Sequence, residues 1–195
     1  DSHTSARPRE NMVHGCGRAM GELAQHGRKE SGYAVTGEGW EMILSHFSPR
    51  VIHRIYSASD VLARAGHMKP AGFWVSVDGE QDWPAWCESE SFTDTEKQYH
   101  YRVALFPDAK VLHIKTAQEL RDFSAQYGIN GEYNRKIDWL SVAKSYHGLI
   151  IAPYQWKCHH DEMWYYGWDC ASGVIWDNSA IEYLKLIREP VKEAA

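Results

Sequence analysis

Cysteine is scarce in this chain: four in 195 residues, Cys16, Cys87, Cys158 and Cys170, at irregular spacings. No two of them lie two to four residues apart, so the paired spacing of a zinc site is missing, and a chain of this length can hold a core without disulfides. Free thiols in a reducing compartment are the expectation. Excess positive charge is lacking as well. Lys and Arg number 21 against 26 Asp and Glu, a formal net charge of −5. The overall field therefore repels polyanions, and a protein is expected as macromolecular partner ahead of nucleic acid, with Arg50, Arg54, Arg64 and Lys69 as a local basic counterweight. No apolar run approaches the roughly 18 residues that span a bilayer, and no signal-peptide pattern opens the chain. A cytoplasmic protein without membrane contact is expected. A glycine-rich phosphate loop, a Gly-x-Ser-x-Gly elbow and a His-Glu-x-x-His helix are all absent, and the enzyme classes built on them recede.

Histidine and cysteine do gather at Cys158-His159-His160, with Cys170 downstream and His46, His53 and His67 scattered earlier. Adjacent histidines point in different directions in most backbones, so this stretch reads as a polar loop and no metal is expected. The alternative is a metal-dependent hydrolase or nuclease built on the Cys158 to Cys170 region.

Aromatic residues are plentiful: nine Trp and eleven Tyr, with Trp156, Trp164, Trp168 and Trp176 crowded beside Tyr154, Tyr165 and Tyr166. Such density fills a core or lines a pocket for something flat. With 44% hydrophobic and 24% charged residues a packed fold follows, and the length fits one domain. Residues 1–39, rich in Ser, Gly, His, Arg and Glu, read as a flexible or loosely docked segment with one weak helix from Arg18 to Arg28. The domain proper is placed at 40–195.

Within it, Trp40 to Phe47 reads as a buried strand. Ser48-Pro49 predicts a helix start, with Val51, Ile52, Ile55 and Tyr56 at helical spacing. Gly72-Phe-Trp-Val-Ser-Val77 predicts a strand ending in the Asp78-Gly79 turn, and Asp82 a helix cap. Tyr99 to Phe106 and Lys110 to Ile114 read as a hairpin turning at Pro107-Asp108-Ala109. Thr116 with Glu119 forms a capping box opening a helix to Gly128, and Asp138 caps another. Leu149 to Ala152 and Gly173 to Trp176 read as strands. Ser179 with Glu182 reads as a second capping box before a terminal helix through Leu184 and Ile187. The mixture is α+β rather than an alternating parallel sheet.

Two segments carry chemistry: Leu44-Ser-His-Phe-Ser48 at a strand end, and Lys69-Pro-Ala-Gly-Phe-Trp-Val-Ser76 further on. A histidine at a strand terminus can donate to a ligand hydroxyl while nearby N–H groups bind an amide or anion. This arrangement resembles the histidine class of the ADP-ribosyltransferase superfamily, which includes diphtheria-toxin-like enzymes and poly(ADP-ribose) polymerases, over roughly residues 40–181. The family's first strand ends in a histidine with a small or hydroxyl residue two positions later, as His46 and Ser48 do. Its second strand carries an aromatic and a serine or tyrosine at the nicotinamide pocket, which Trp74 and Ser76 match. Gly173 to Ile181 looks like the closing strand.

The resemblance implies an α+β fold with a split antiparallel sheet and flanking helices. It implies a mono-ADP-ribosyltransferase that consumes NAD, needs no metal and modifies a protein acceptor, in the cytoplasm or delivered into a target cell as a toxin domain. By the same resemblance His46 bonds a ribose hydroxyl, backbone at Phe47 holds the nicotinamide amide, Ser48 joins the cofactor-binding residues, Trp74 or a tyrosine from Tyr165 to Tyr166 stacks on the ring, and Ser76 braces the acid. The departure is the acid itself. Ser172 stands where the family places its catalytic glutamate, and Asp169, three residues earlier, is the replacement, with Asp161 or Glu162 as alternatives. A domain without the acid would be an inactive binding module or assembly subunit.

Overall fold

The computed structural model describes residues 33–36, 39–58, 69–129 and 136–191. The Arg18 to Arg28 helix, Cys16, Arg64 and His67 lie outside the described residues.

Seven strands build the main sheet, in the order β11 (Ile181–Arg188), β5 (Tyr99–Leu105), β3 (Leu44–Ser48), β4 (Phe73–Val77), β10 (Ser172–Ile175), β9 (Gly148–Ile151) and β6 (Val111–Ile114). Every pairing is antiparallel except β6 with β9. Two small ribbons stand apart: β1 (Tyr33–Thr36) with β2 (Gly39–Met42), and β7 (Gly128–Ile129) with β8 (Lys136–Ile137). Three α-helices are described, α1 (Trp83–Ser89), α2 (Ala117–Tyr127) and α3 (Trp139–Ala143). The fold is mixed α+β on a mostly antiparallel sheet.

Helix starts are where the side chains put them. Thr116 and Glu119 close both halves of the capping box, Asp82 accepts from the Ala85 N–H, and Asp138 accepts from the Ser141 N–H. Helix α2 buries Leu120, Phe123 and Ser124, one stripe of the 3.6-residue period.

At the end of α1, the Phe92 N–H donates to Cys87 O at 3.0 Å and the Ser91 N–H to Glu88 O at 3.3 Å. That is a Schellman closure with Ser91 in the left-handed region, at φ 51°. A glycine avoids the Cβ penalty there, so Ser91→Gly is expected to stabilise the protein by about 0.5 kcal/mol. Thermal melts should show Tm rising by about 1–2 °C, with no rise for Ser91→Ala.

Four expectations are corrected. The strand from Trp40 to Phe47 is broken at Ile43: β2 pairs with β1 in a separate two-stranded sheet, and β3 starts the main sheet. The helix after Pro49 does not form. Ser48 Oγ closes a turn onto Arg50, and the following N–H groups bond far away, Ile52 to the Tyr101 hydroxyl at 3.0 Å and Ala58 to Trp176 O at 2.8 Å. The turn at 106–109 is present, with the Ala109 N–H on Phe106 O, but β5 and β6 end on different parts of the sheet because β6 pairs with β9. The terminal helix is strand β11. Two register shifts, between Ile181 and Tyr183 and between Leu186 and Arg188, leave Ile181, Leu184 and Arg188 inward at spacings of three and four. Bulges thus imitate helical periodicity.

The core is aromatic. Trp164, Trp168 and Tyr165 are fully buried and Trp176 nearly so, and they pack with Phe123, Trp139 and the apolar residues of β9 and β10. Two of these indole N–H groups are satisfied, Trp164 on Ser124 Oγ and Trp176 on Tyr146 O, each at 2.7 Å, while that of Trp168 is buried without a partner. At Gly173 a Cβ would stand 2.6 Å from Ile150 Cγ1 and 2.8 Å from Leu149 O, so only glycine lets β9 and β10 lie this close.

Candidate functional site

Strand β3 pairs with β5 along its whole length but with β4 only at Leu44–Val77 and Ser45–Ser76. From His46 onward β3 and β4 part. The gap is a cleft of about 280 Å³, at the small end for ligand sites. Across it, His46 Nδ1 lies 2.7 Å from Trp74 O, a side-chain rung where the backbone ladder has ended. A carbonyl only accepts, so Nδ1 carries the proton and donates. Burial holds the His46 pKa below its ordinary value against the opposing pull of the Trp74 bond, and the ring stacks on Phe73 at 4.3 Å. In the neutral ring Nε2 is then an acceptor. It can take a hydrogen bond from a ligand hydroxyl rather than give one.

Asp169 reaches the same cleft from an irregular segment, 152–171, fixed on both sides of it. Upstream, Trp168 is fully buried and its carbonyl accepts the Tyr154 hydroxyl at 2.5 Å. Downstream, the Ala171 N–H donates to Gln81 O at 2.7 Å and the Val77 N–H to Ala171 O at 2.9 Å. The Asp169 carboxylate pairs with Lys69 Nζ at 3.0 Å, and that ammonium lies 5.3 Å from the centre of the Trp74 ring.

His46, Phe47, Trp74, Ser76 and Asp169 all line this cleft, together with Ser45, Lys69, Trp83, Cys170 and Ser172. Segments as far apart as Ser45 and Ser172 therefore meet around one volume. No protein-family model, curated protein or solved structure matches this chain.

Ser48 and Tyr165 are not among the residues lining the cleft. Ser48 Oγ is engaged with Arg50, and Tyr165 is fully buried with its hydroxyl accepting the Gln155 N–H at 3.0 Å. Trp74 is left as the flat wall for a ring. Ser76 does not brace the acid: its Oγ accepts the Trp83 N–H at 2.9 Å and so fixes the start of α1. Asp161 lies 3.9 Å from Arg121 and Glu162 is buried, and neither lines the cleft. Ser172 Oγ donates to Cys170 O at 3.0 Å. Burial pushes the Cys170 thiol up to about 12, so it stays protonated and is no nucleophile at neutral pH. Among the described residues no three His, Cys, Asp or Glu side chains gather as a metal site.

Sequence reasoning assigned Lys69 no place in the site, although Lys69-Pro70 stands directly before the strand carrying Trp74. It missed Ser45 too. Ser45 Oγ is fully buried, lies 2.9 Å from His100 Nε2 and also bonds Asp78, while Phe47 stacks on the same imidazole at 4.5 Å. This network stiffens the β3 edge of the cleft.

His46 and His100 share a sign. Burial lowers both folded-state pKa values from 6.5. Below pH 6.5 the unfolded chain therefore binds protons that the folded chain does not, and stability declines until the folded-state values are passed. Thermal melts between pH 7.5 and 5.5 should show Tm falling with pH, more shallowly in His46→Gln. A flat wild-type profile would contradict the burial argument.

Proposed function

We propose that this chain is a mono-ADP-ribosyltransferase that cleaves NAD at the bond between nicotinamide and ribose and moves ADP-ribose to a protein acceptor. The single observation that carries this reading is the meeting of His46, Trp74 and Asp169 around one small cleft in the parting of β3 from β4. An antiparallel sheet that opens between neighbouring strands also supports the split sheet of the ADP-ribosyltransferase superfamily as the finer description of the fold. The buried, unbridged Cys87, Cys158 and Cys170 favour a reducing compartment such as the cytoplasm.

The chemistry fits the residues. Nicotinamide leaves as a neutral ring when the N1–C1′ bond breaks and its electron pair goes to nitrogen. Positive charge builds on the ribose, where a carboxylate beside C1′ stabilises it, as in glycoside hydrolysis, until a nucleophilic atom of the protein acceptor bonds C1′ and gives up its proton to water. Asp169 is that carboxylate. Trp74 supplies a face for the nicotinamide ring, and His46 Nε2 accepts from a ribose hydroxyl. Backbone at Phe47 offers the amide its partners. Lys69 has two tasks in sequence: it pairs with Asp169 while the cleft is empty, and the pyrophosphate of NAD draws its ammonium away, freeing Asp169 for the ribose.

Incubation with NAD tests the proposal. Nicotinamide release, and ADP-ribose incorporated into protein of a cell lysate, are the expected results. The Lys69–Asp169 pair favours one second reading, a module that holds NAD in this cleft without turning it over. Calorimetric NAD binding with no nicotinamide released would establish that reading, and absence of NAD binding would end both.

A further inference from the structure

Beside the NAD cleft, on the other side of Asp169 and Cys170, lies a larger groove of about 830 Å³. Its walls are aromatic and acidic. Trp156 is 63% exposed and Tyr166 49%, unusual for such large rings, and Trp86 lines the same groove. Glu80 and Glu90 stand at its rim, and among the described residues neither forms an ion pair. No lysine or arginine is among the residues that line it.

The one imidazole among the described residues that line it, His159, adds an acceptor. Tyr154 has a single hydroxyl proton, and Trp168 O can only accept it, so the phenol donates there. His159 Nδ1, in contact with the same hydroxyl, must then be the protonated nitrogen and donate to Tyr154 Oη. That leaves Nε2 of the neutral ring with its lone pair. Burial and the neighbouring His160 both lower the His159 pKa, in keeping with a neutral ring.

A pocket of π-faces, free carboxylates and a neutral imidazole acceptor is complementary to an organic cation rich in N–H donors. It repels phosphates. We infer that this groove holds the cationic side chain, guanidinium or ammonium, of a basic protein segment, with Trp156 and Tyr166 as its ring faces and Glu80 and Glu90 as its counter-charges. The inference rests on the transferase reading only in making that segment the acceptor, which Asp169, shared by groove and cleft, brings beside the ribose.

Calorimetric titration of the intact protein with butylguanidine and with butylamine tests it, the two probes separating guanidinium from ammonium. Saturable binding of at least one is expected. It should weaken about tenfold or more in Trp156→Ala and in the Glu80→Gln, Glu90→Gln double variant, from loss of cation–π and charge pairing. These residues are exposed and outside the NAD cleft, so thermal melts, NAD affinity and acceptor-free nicotinamide release should be unchanged. Equal binding by the variants, or no saturable binding by the folded wild type, would overturn the inference. So would a single-stranded oligothymidine that binds more tightly than either cation and loses affinity in Trp156→Ala, since the groove would then serve nucleic acid. Cation binding with no release of nicotinamide from NAD would sink the transferase reading alone.

Discussion

Replacing Asp169 with Asn is expected to slow nicotinamide release from NAD about a thousandfold, while NAD affinity changes by no more than about threefold. Asn keeps the shape of the side chain and loses the charge that must face the oxocarbenium-like ribose. A thousandfold corresponds to about 4 kcal/mol of transition-state stabilisation, the size expected for a lost electrostatic partner of a developing charge. The substitution also breaks the pair with Lys69, whose members are 43% and 30% exposed, so stability should change by at most about 1 kcal/mol and the variant should fold. The two halves of the prediction separate charge from architecture. Single-turnover release rates and calorimetric affinities measured on the same preparation check it. Loss of binding and turnover in equal proportion would make Asp169 a structural residue, and turnover without loss would remove it from the mechanism.

The sequence made legible what local chemistry decides. A threonine three residues before a glutamate, and aspartates before short apolar runs, placed the starts of α1, α2 and α3 because capping is settled within one turn. Strand β4 was legible in Phe73 to Val77 for the same reason. What failed depended on distant partners. Residues 49–58 have helical spacing, yet Ile52 and Ala58 find their partners 49 and 118 residues away along the chain. Strand β11 carries a helix-like pattern because its bulges alter the alternation, and bulges answer to β5 rather than to anything inside 181–188. The site divides along the same line. His46 and Trp74 stand on strands that could be read locally. The Lys69–Asp169 pair joins residues 100 positions apart, and the roles of Tyr165 and Tyr166 in a segment without regular structure follow from packing alone.

That segment makes the second large effect a matter of packing. Trp164→Ala is expected to cost about 3–5 kcal/mol, a large share of the stability of a domain this size. The indole is fully buried, touches Phe123, Trp139, Tyr165 and Trp168, and donates to Ser124 Oγ. It fastens residues 152–171 to helix α2, where the lesser ties are Cys158 Sγ on Ala117 O at 3.6 Å and the exposed Asp161–Arg121 pair. Truncation leaves a cavity together with a buried serine that has lost its donor, and Tm should fall by about 10 °C or more. Trp164→Phe keeps most of the ring and loses the hydrogen bond, for about 1–2 kcal/mol. Function should follow the same ranking for a geometric reason. Asp169 is held between Trp168 and the Ala171 anchors, so loosening Trp164 displaces the carboxylate against a cleft whose His46 side is fixed by β3. A displacement of about 1 Å is worth roughly a hundredfold in rate, so at a temperature where Trp164→Ala is still folded, nicotinamide release should fall by about that factor with NAD binding largely kept. Unimpaired release from the folded variant would mean that the 152–171 segment positions Asp169 without its aromatic core.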